Sequence, residues 1–102
     1  MVLAKIKVIF SKTGDLRFMS HLDLMRLLHR AARRACLPVT VTKGFSPHLK
    51  ISVMRALKLG VESRAEEAVF HMDAVVDPQE FIRAMNAALP QGVRVEKAEG
   101  IV

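Results

Sequence analysis

Tryptophan and tyrosine are absent from this 102-residue chain, and Cys36 is its only cysteine. A lone cysteine closes no internal disulfide and has no companion at metal-ligand spacing, which points to a reducing compartment and away from zinc and iron–sulfur sites. No window approaches the roughly 18 uninterrupted apolar residues of a membrane span. Residues 1–10 alternate lysine with apolar side chains instead of forming a signal-peptide core, so a cytoplasmic protein with no membrane contact is expected. The five glycines lie far apart and leave no phosphate-cradling loop. No internal repeat or low-complexity segment occurs, and no pair of the four histidines has a convincing metal spacing.

What is present is an ordinary globular composition, half apolar and a quarter charged. Residues 1–102 suffice for a single domain with one core and are too few for two. The charge is uneven. Up to Lys58, twelve Lys and Arg stand against two acids, Asp15 and Asp23; from Leu59 onward, four basic residues stand against eight acids, giving a net +6. One basic side raises the expectation of nucleic acid or another polyanion as partner, against the plainer alternative of a surface that is basic only for solubility.

Apolar residues at period two over 3–10, with Lys5 and Lys7 between them, read as a half-buried strand ending at the turn 12–15. Ser20 stands as an N-cap, with Asp23 three residues later, before a helix over 21–36. Leu37-Pro38 ends it, and 39–43 alternates as a second strand. Residues 44–48 are a loop by their Gly and Pro content, and 51–59 reads equally as a strand or an extended connection. A strand over 67–73 follows, with Ala68, Phe70 and Met72 on one side. Asp77-Pro78-Gln79-Glu80 offers an N-cap, a proline at the first helical position and Glu at N3, opening a helix whose core face is Phe81, Ile82, Met85, Ala88 and Leu89. Residues 90–92 stop it, and 93–97 closes as a strand. The order predicts an α+β fold of ferredoxin-like βαββαβ type, an antiparallel sheet with both helices on one face.

The first helix has two faces. At 100° per residue, Leu24, Met25, Leu28, Ala31, Ala32 and Ala35 gather on one side, and Arg26, Arg30, Arg33 and Arg34 on the other within about 100°. Like charges three and four apart each cost a few tenths of a kcal/mol, and only Asp23 is placed to offset them, so the stripe is mildly unfavourable unless something binds it. Arg17, Ser20, His21, Arg26, Arg30 and Arg33, with Lys43, Phe45, His48 and Lys50 from the loop, form the candidate nucleic-acid site. Guanidinium forks grip phosphates, an exposed Phe stacks on an unpaired base, and a helix N-terminus adds backbone donors. In the plain alternative Phe45 fills the core, Ser20 only caps, and the arginines are a solvated face. A central-strand aromatic platform of the RNA-recognition type is not expected, so RNA contacts should come from the arginine helix and the 44–50 loop.

Four ordered stretches carry a resemblance: LRFMSHLDLMR at 16–26, RRACLPV at 33–39, KGFSPHLKIS at 43–52 and GVESRAE at 60–66. They resemble the radical SAM-linked domain of unknown function, whose pattern runs LRFLSHLDLMR, RRAGLPV, GFNPHPKIS and GVESEAE. Ser46 and Leu49 depart from that pattern's Asn and Pro, and 54–59 lacks its usual proline. The resemblance covers nearly the whole chain and implies the amino-terminal portion of the family domain, found free-standing or after cobalamin-binding radical SAM enzymes. The radical chemistry cannot reside here, because its cluster needs three closely spaced cysteines. The resulting expectation is a non-catalytic accessory module that binds RNA, transfer or ribosomal, for a radical SAM modification enzyme, with no cofactor of its own. A module docking on the radical SAM protein itself is the alternative. A third reading, a metal-independent ribonuclease, would use His21 or His48 as acid and base.

Overall fold

A computed structural model describes residues 4–44, 47, 49–53 and 63–101. β1 is Ala4–Lys12; a 3₁₀ turn, Gly14–Phe18, leads to α1, His21–Arg34; β2 is Ile51–Val53, β3 is Ser63–Met72, α2 is Pro78–Ala88 and β4 is Val93–Ile101. The strands form one antiparallel sheet in the order β2-β3-β1-β4. Alternation decides what each strand buries. Ile6, Val8 and Phe10 of β1 and Ala68, Phe70 and Met72 of β3 are buried with Leu24 and Leu28 of α1 and Phe81 and Met85 of α2. Lys5, Lys7, Ile9, Val69 and His71, at the intervening positions, are only half-buried. The chain is therefore an α+β domain with its core between the helices and one sheet face.

The second strand lies elsewhere than the alternation of 39–43 predicts. That segment makes two isolated bridges, Val39 to Met72 and Val41 to Leu49, while the paired strand is Ile51–Val53 against Phe70, Val69 and Ala68. Both segments compete for the same edge of β3. Residues beside Pro38 take its last turn, with the Asp73 N–H donating to Pro38 O at 2.7 Å and the Thr40 N–H to His71 O at 2.7 Å. The His71 N–H donates instead to Lys50 O at 3.0 Å, so pairing passes to 51–53 from there on. Buried Ile51 secures that register, whereas Val41 is half exposed.

Strand β1 also outruns the predicted turn at 12–15. Lys12 belongs to it, pairs with Val93, and is fully buried on the core side, at the end of the sheet where Glu66 of β3 is buried too. Ser11 beside it donates to Glu96 Oε1 at 3.2 Å. At the free edge of β4, Asn86 of α2 accepts from the Val95 N–H at 2.8 Å and donates to its carbonyl at 3.0 Å, so part of that edge is covered.

Both helices start where the caps predict. Ser20 accepts from the Asp23 N–H, and Asp77 from the Glu80 N–H. The end of α1 comes two residues before position 36. Cys36 turns to φ 55°, its N–H donating to Arg33 O and the Leu37 N–H to Ala32 O, a reciprocal pair that closes the last turn. This left-handed position usually falls to glycine.

Gly92 fixes the 3₁₀ turn onto the sheet. Its φ is +106°, its carbonyl accepts from the Thr13 N–H at 2.8 Å, and a Cβ placed on it would sit 3.0 Å from both Leu16 Cγ and Thr13 O. Gly92→Ala is expected to cost about 1–2 kcal/mol from the backbone alone, more with the contact, seen as a lower urea midpoint with unchanged slope.

Candidate nucleic-acid interface

The 3₁₀ turn and the first turns of α1 enclose a groove of about 540 Å³ whose rim includes Asp15, Phe18, Met19, Asp23, Arg26 and Arg30. Phe18 is 56 % exposed, one of four large apolar side chains that face solvent among the described residues; Leu22, in the first turn of α1, is 58 % exposed. Arg17 donates to Gly14 O at 2.9 Å, which lays its guanidinium 4.3 Å from the centre of the Phe18 ring. Such a contact at the surface is worth roughly 0.5–1 kcal/mol and holds the ring where water would not. Arg26 reaches Asp23 at 3.7 Å, an exposed pair that contributes little to stability.

Arg26, Arg30, Arg33 and Arg34 are all exposed, as the two-faced helix predicts, while Leu24, Leu28, Ala31 and Ala32 are buried behind them. A second groove, of about 410 Å³, places Arg30 and Arg34 beside Ala87, Ala88, Leu89 and Pro90 at the end of α2. Cations there meet the partial negative charge of a helix C-terminus, which accounts locally for part of the stripe. A third, of about 460 Å³ at the β4 edge, sets Lys7 and Lys97 against Glu96 and Glu99 and has no bias toward anions.

The eight candidate residues that the structure describes do not all lie together. Arg17, Ser20, His21, Arg26 and Arg30 gather along the 3₁₀ turn and the first three turns of α1. Arg33 lies farther down the same face, toward the other end of a helix roughly 20 Å long. Lys43 is exposed on the loop. Lys50 stands beside His71 at the Lys5 end of the sheet, on the face away from α1. Phe45 and His48 lie outside the described residues. His21 opens α1 with Nδ1 buried and without a hydrogen-bond partner. Among the described residues no group of three His, Cys, Asp or Glu could hold a metal ion.

Phe18 is the residue that sequence reasoning missed. The helical and strand periods that sort apolar side chains into core and surface do not apply to a short 3₁₀ turn, and only its position just before the Ser20 cap hinted at exposure.

On the open sheet face, His71 has its pKa below the ordinary 6.5, first through desolvation and then through the charges of Lys50 and Lys5. The unfolded chain then binds more protons at mildly acid pH, so His71 adds stability above about pH 6.5 that is lost as the pH falls through it. His71→Gln is expected to flatten unfolding stability between about pH 7 and 5, measured by urea titration at each pH.

A four-stranded antiparallel sheet backed by two helices, with a cationic, aromatic-edged groove at the start of the first, defines a small α+β domain. The chain belongs to the bacterial family described as uncharacterised proteins conserved in bacteria (DUF2344), which matches residues 5–102. No curated protein matches it. No helix among the described residues is long and apolar enough to cross a membrane.

Proposed function

We propose that this domain is a non-catalytic RNA-binding module, acting in the cytoplasm beside a radical SAM enzyme that modifies transfer or ribosomal RNA. The observation that carries the reading is the exposed stripe of Arg26, Arg30 and Arg33 running from a groove edged by the exposed Phe18. Guanidinium groups in a row match the spaced charges of a phosphate backbone, and an aromatic side chain held at their end adds a stacking surface for a base. Open-sheet stacking is no part of this reading, since Phe10 and Phe70 of the central strands point into the core. The motif resemblance supports the radical SAM partnership. In the same reading the fold is ferredoxin-like: antiparallel strands in the order β2-β3-β1-β4, with a helix on each crossover, fit that arrangement.

Binding to a mixed cellular RNA pool and to an acidic protein control, each at two salt concentrations, tests the reading. RNA-selective binding supports it. Equal binding of both, with RNA unable to displace the acidic protein, moves the function to docking on a partner, because salt weakens both kinds of contact.

A further inference from the structure

We infer that the groove beside the 3₁₀ turn takes one unpaired nucleotide of an RNA strand. Its base stacks on Phe18 with its amino edge toward Asp15 and Asp23, and its flanking phosphates lie on Arg26 and Arg30. This deepens the RNA-binding reading and rests on it.

Among the three grooves described, only this one combines an open aromatic ring, cations and carboxylates. Its volume of about 540 Å³ falls in the range of small-ligand sites. The ring decides the strandedness of the ligand. Arg17 occupies one side of Phe18 at 4.3 Å while more than half of the residue stays exposed, so the ring is held in place with surface to spare. Bases inside a duplex are already stacked on both faces and cannot use that surface; an unpaired base can.

The carboxylates decide which part of the ligand enters. Asp15 and Asp23 would repel a bare phosphate, so their presence on the rim is a liability for a site that binds only anions. They are useful to a base, because a carboxylate is an acceptor alone and needs N–H donors. Guanine offers two adjacent donors on its pairing edge, whereas uracil offers one between two carbonyls that a carboxylate repels. Acids and arginines lining one groove match a nucleotide, with donors on its base and negative charge on its backbone.

Fluorescence anisotropy of the full chain with three labelled RNAs tests the inference: a seven-residue uridine strand, the same strand with a central guanosine, and a blunt duplex of equal length. The guanosine strand is expected to bind about fivefold or more tighter than uridine alone, and the duplex weaker than either. Phe18→Ala should weaken the guanosine strand by about tenfold, with unchanged circular dichroism since the side chain is exposed. Asp15→Asn with Asp23→Asn should erase the preference for guanosine while uridine binding is kept. Equal binding of duplex and single strands, equal binding of the two single strands, or a neutral Phe18→Ala overturns the nucleotide site, and the RNA-binding reading survives if replacing Arg26, Arg30 and Arg33 together by Ala still lowers RNA affinity. No binding of any RNA overturns that reading itself, and the inference with it.

Discussion

Phe81→Ala is expected to lower the unfolding free energy by about 3–5 kcal/mol and the melting temperature by on the order of 20 °C. Phe81 is fully buried and meets Phe70 of β3 edge to face, ring centres 5.0 Å apart at 79°. It is the principal anchor of α2 on the sheet, flanked by Met85 one turn later. Removing the ring loses its transfer free energy, leaves a cavity that close-packed neighbours cannot fill, and breaks an aromatic pair worth about 0.5–1.5 kcal/mol by itself. A domain of this size has about 5–15 kcal/mol in total, so the variant should be largely unfolded at moderate urea. Thermal and urea unfolding followed by circular dichroism measure it. Phe18→Ala is the contrasting substitution, expected to cost no more than about 1 kcal/mol, because the residue is more than half exposed and the ring's contact with Arg17 is a weak surface one. A Phe18 variant as unstable as the Phe81 one would mean that the 3₁₀ turn is part of the core.

Replacing Arg26, Arg30 and Arg33 together by Ala is expected to reduce RNA affinity on the order of tenfold or more and to make its salt dependence shallower. Each phosphate contact on a single strand contributes about 0.7 to the slope of log affinity against log salt, so three lost contacts lower the slope by about 2. Loss of fold is not the expected cause. All three side chains are exposed, Ala is the better helix former, and the substitutions remove like-charge neighbours on one helix face. The variant should melt at or slightly above the parent temperature while binding less. Unchanged affinity and slope would assign the stripe to solvation and to the end of α2, where Arg30 and Arg34 lie.

Much of the fold was legible before any coordinates. The period-two runs placed β1 and β3 with the correct residues inward and a closing strand from Val93, though β3 begins at Ser63 and β4 runs on to Ile101, and the Ser20 and Asp77 caps placed both helix starts to the residue. These signals are local: a cap is satisfied within four residues, and alternation is a property of one strand against one buried face. The candidate site was legible only in part. The arginine stripe followed from helical geometry, whereas the place of Lys50, beside His71 at the edge of β3, did not, because sequence proximity to a loop says nothing about where the loop's end joins the sheet.

The chain by itself determined the helices, three of the four strands, the sidedness of α1 and the basic bias of the first half, since each depends on spacing within one element. Only the tertiary structure decided that 51–53 forms the strand paired with β3 while 39–43 is left with isolated bridges, that Lys12 is buried, and that Phe18 stands in solvent beside the arginines. Those outcomes depend on competition between distant segments for one strand edge, and on how a short turn is docked by Gly92, which no local pattern records.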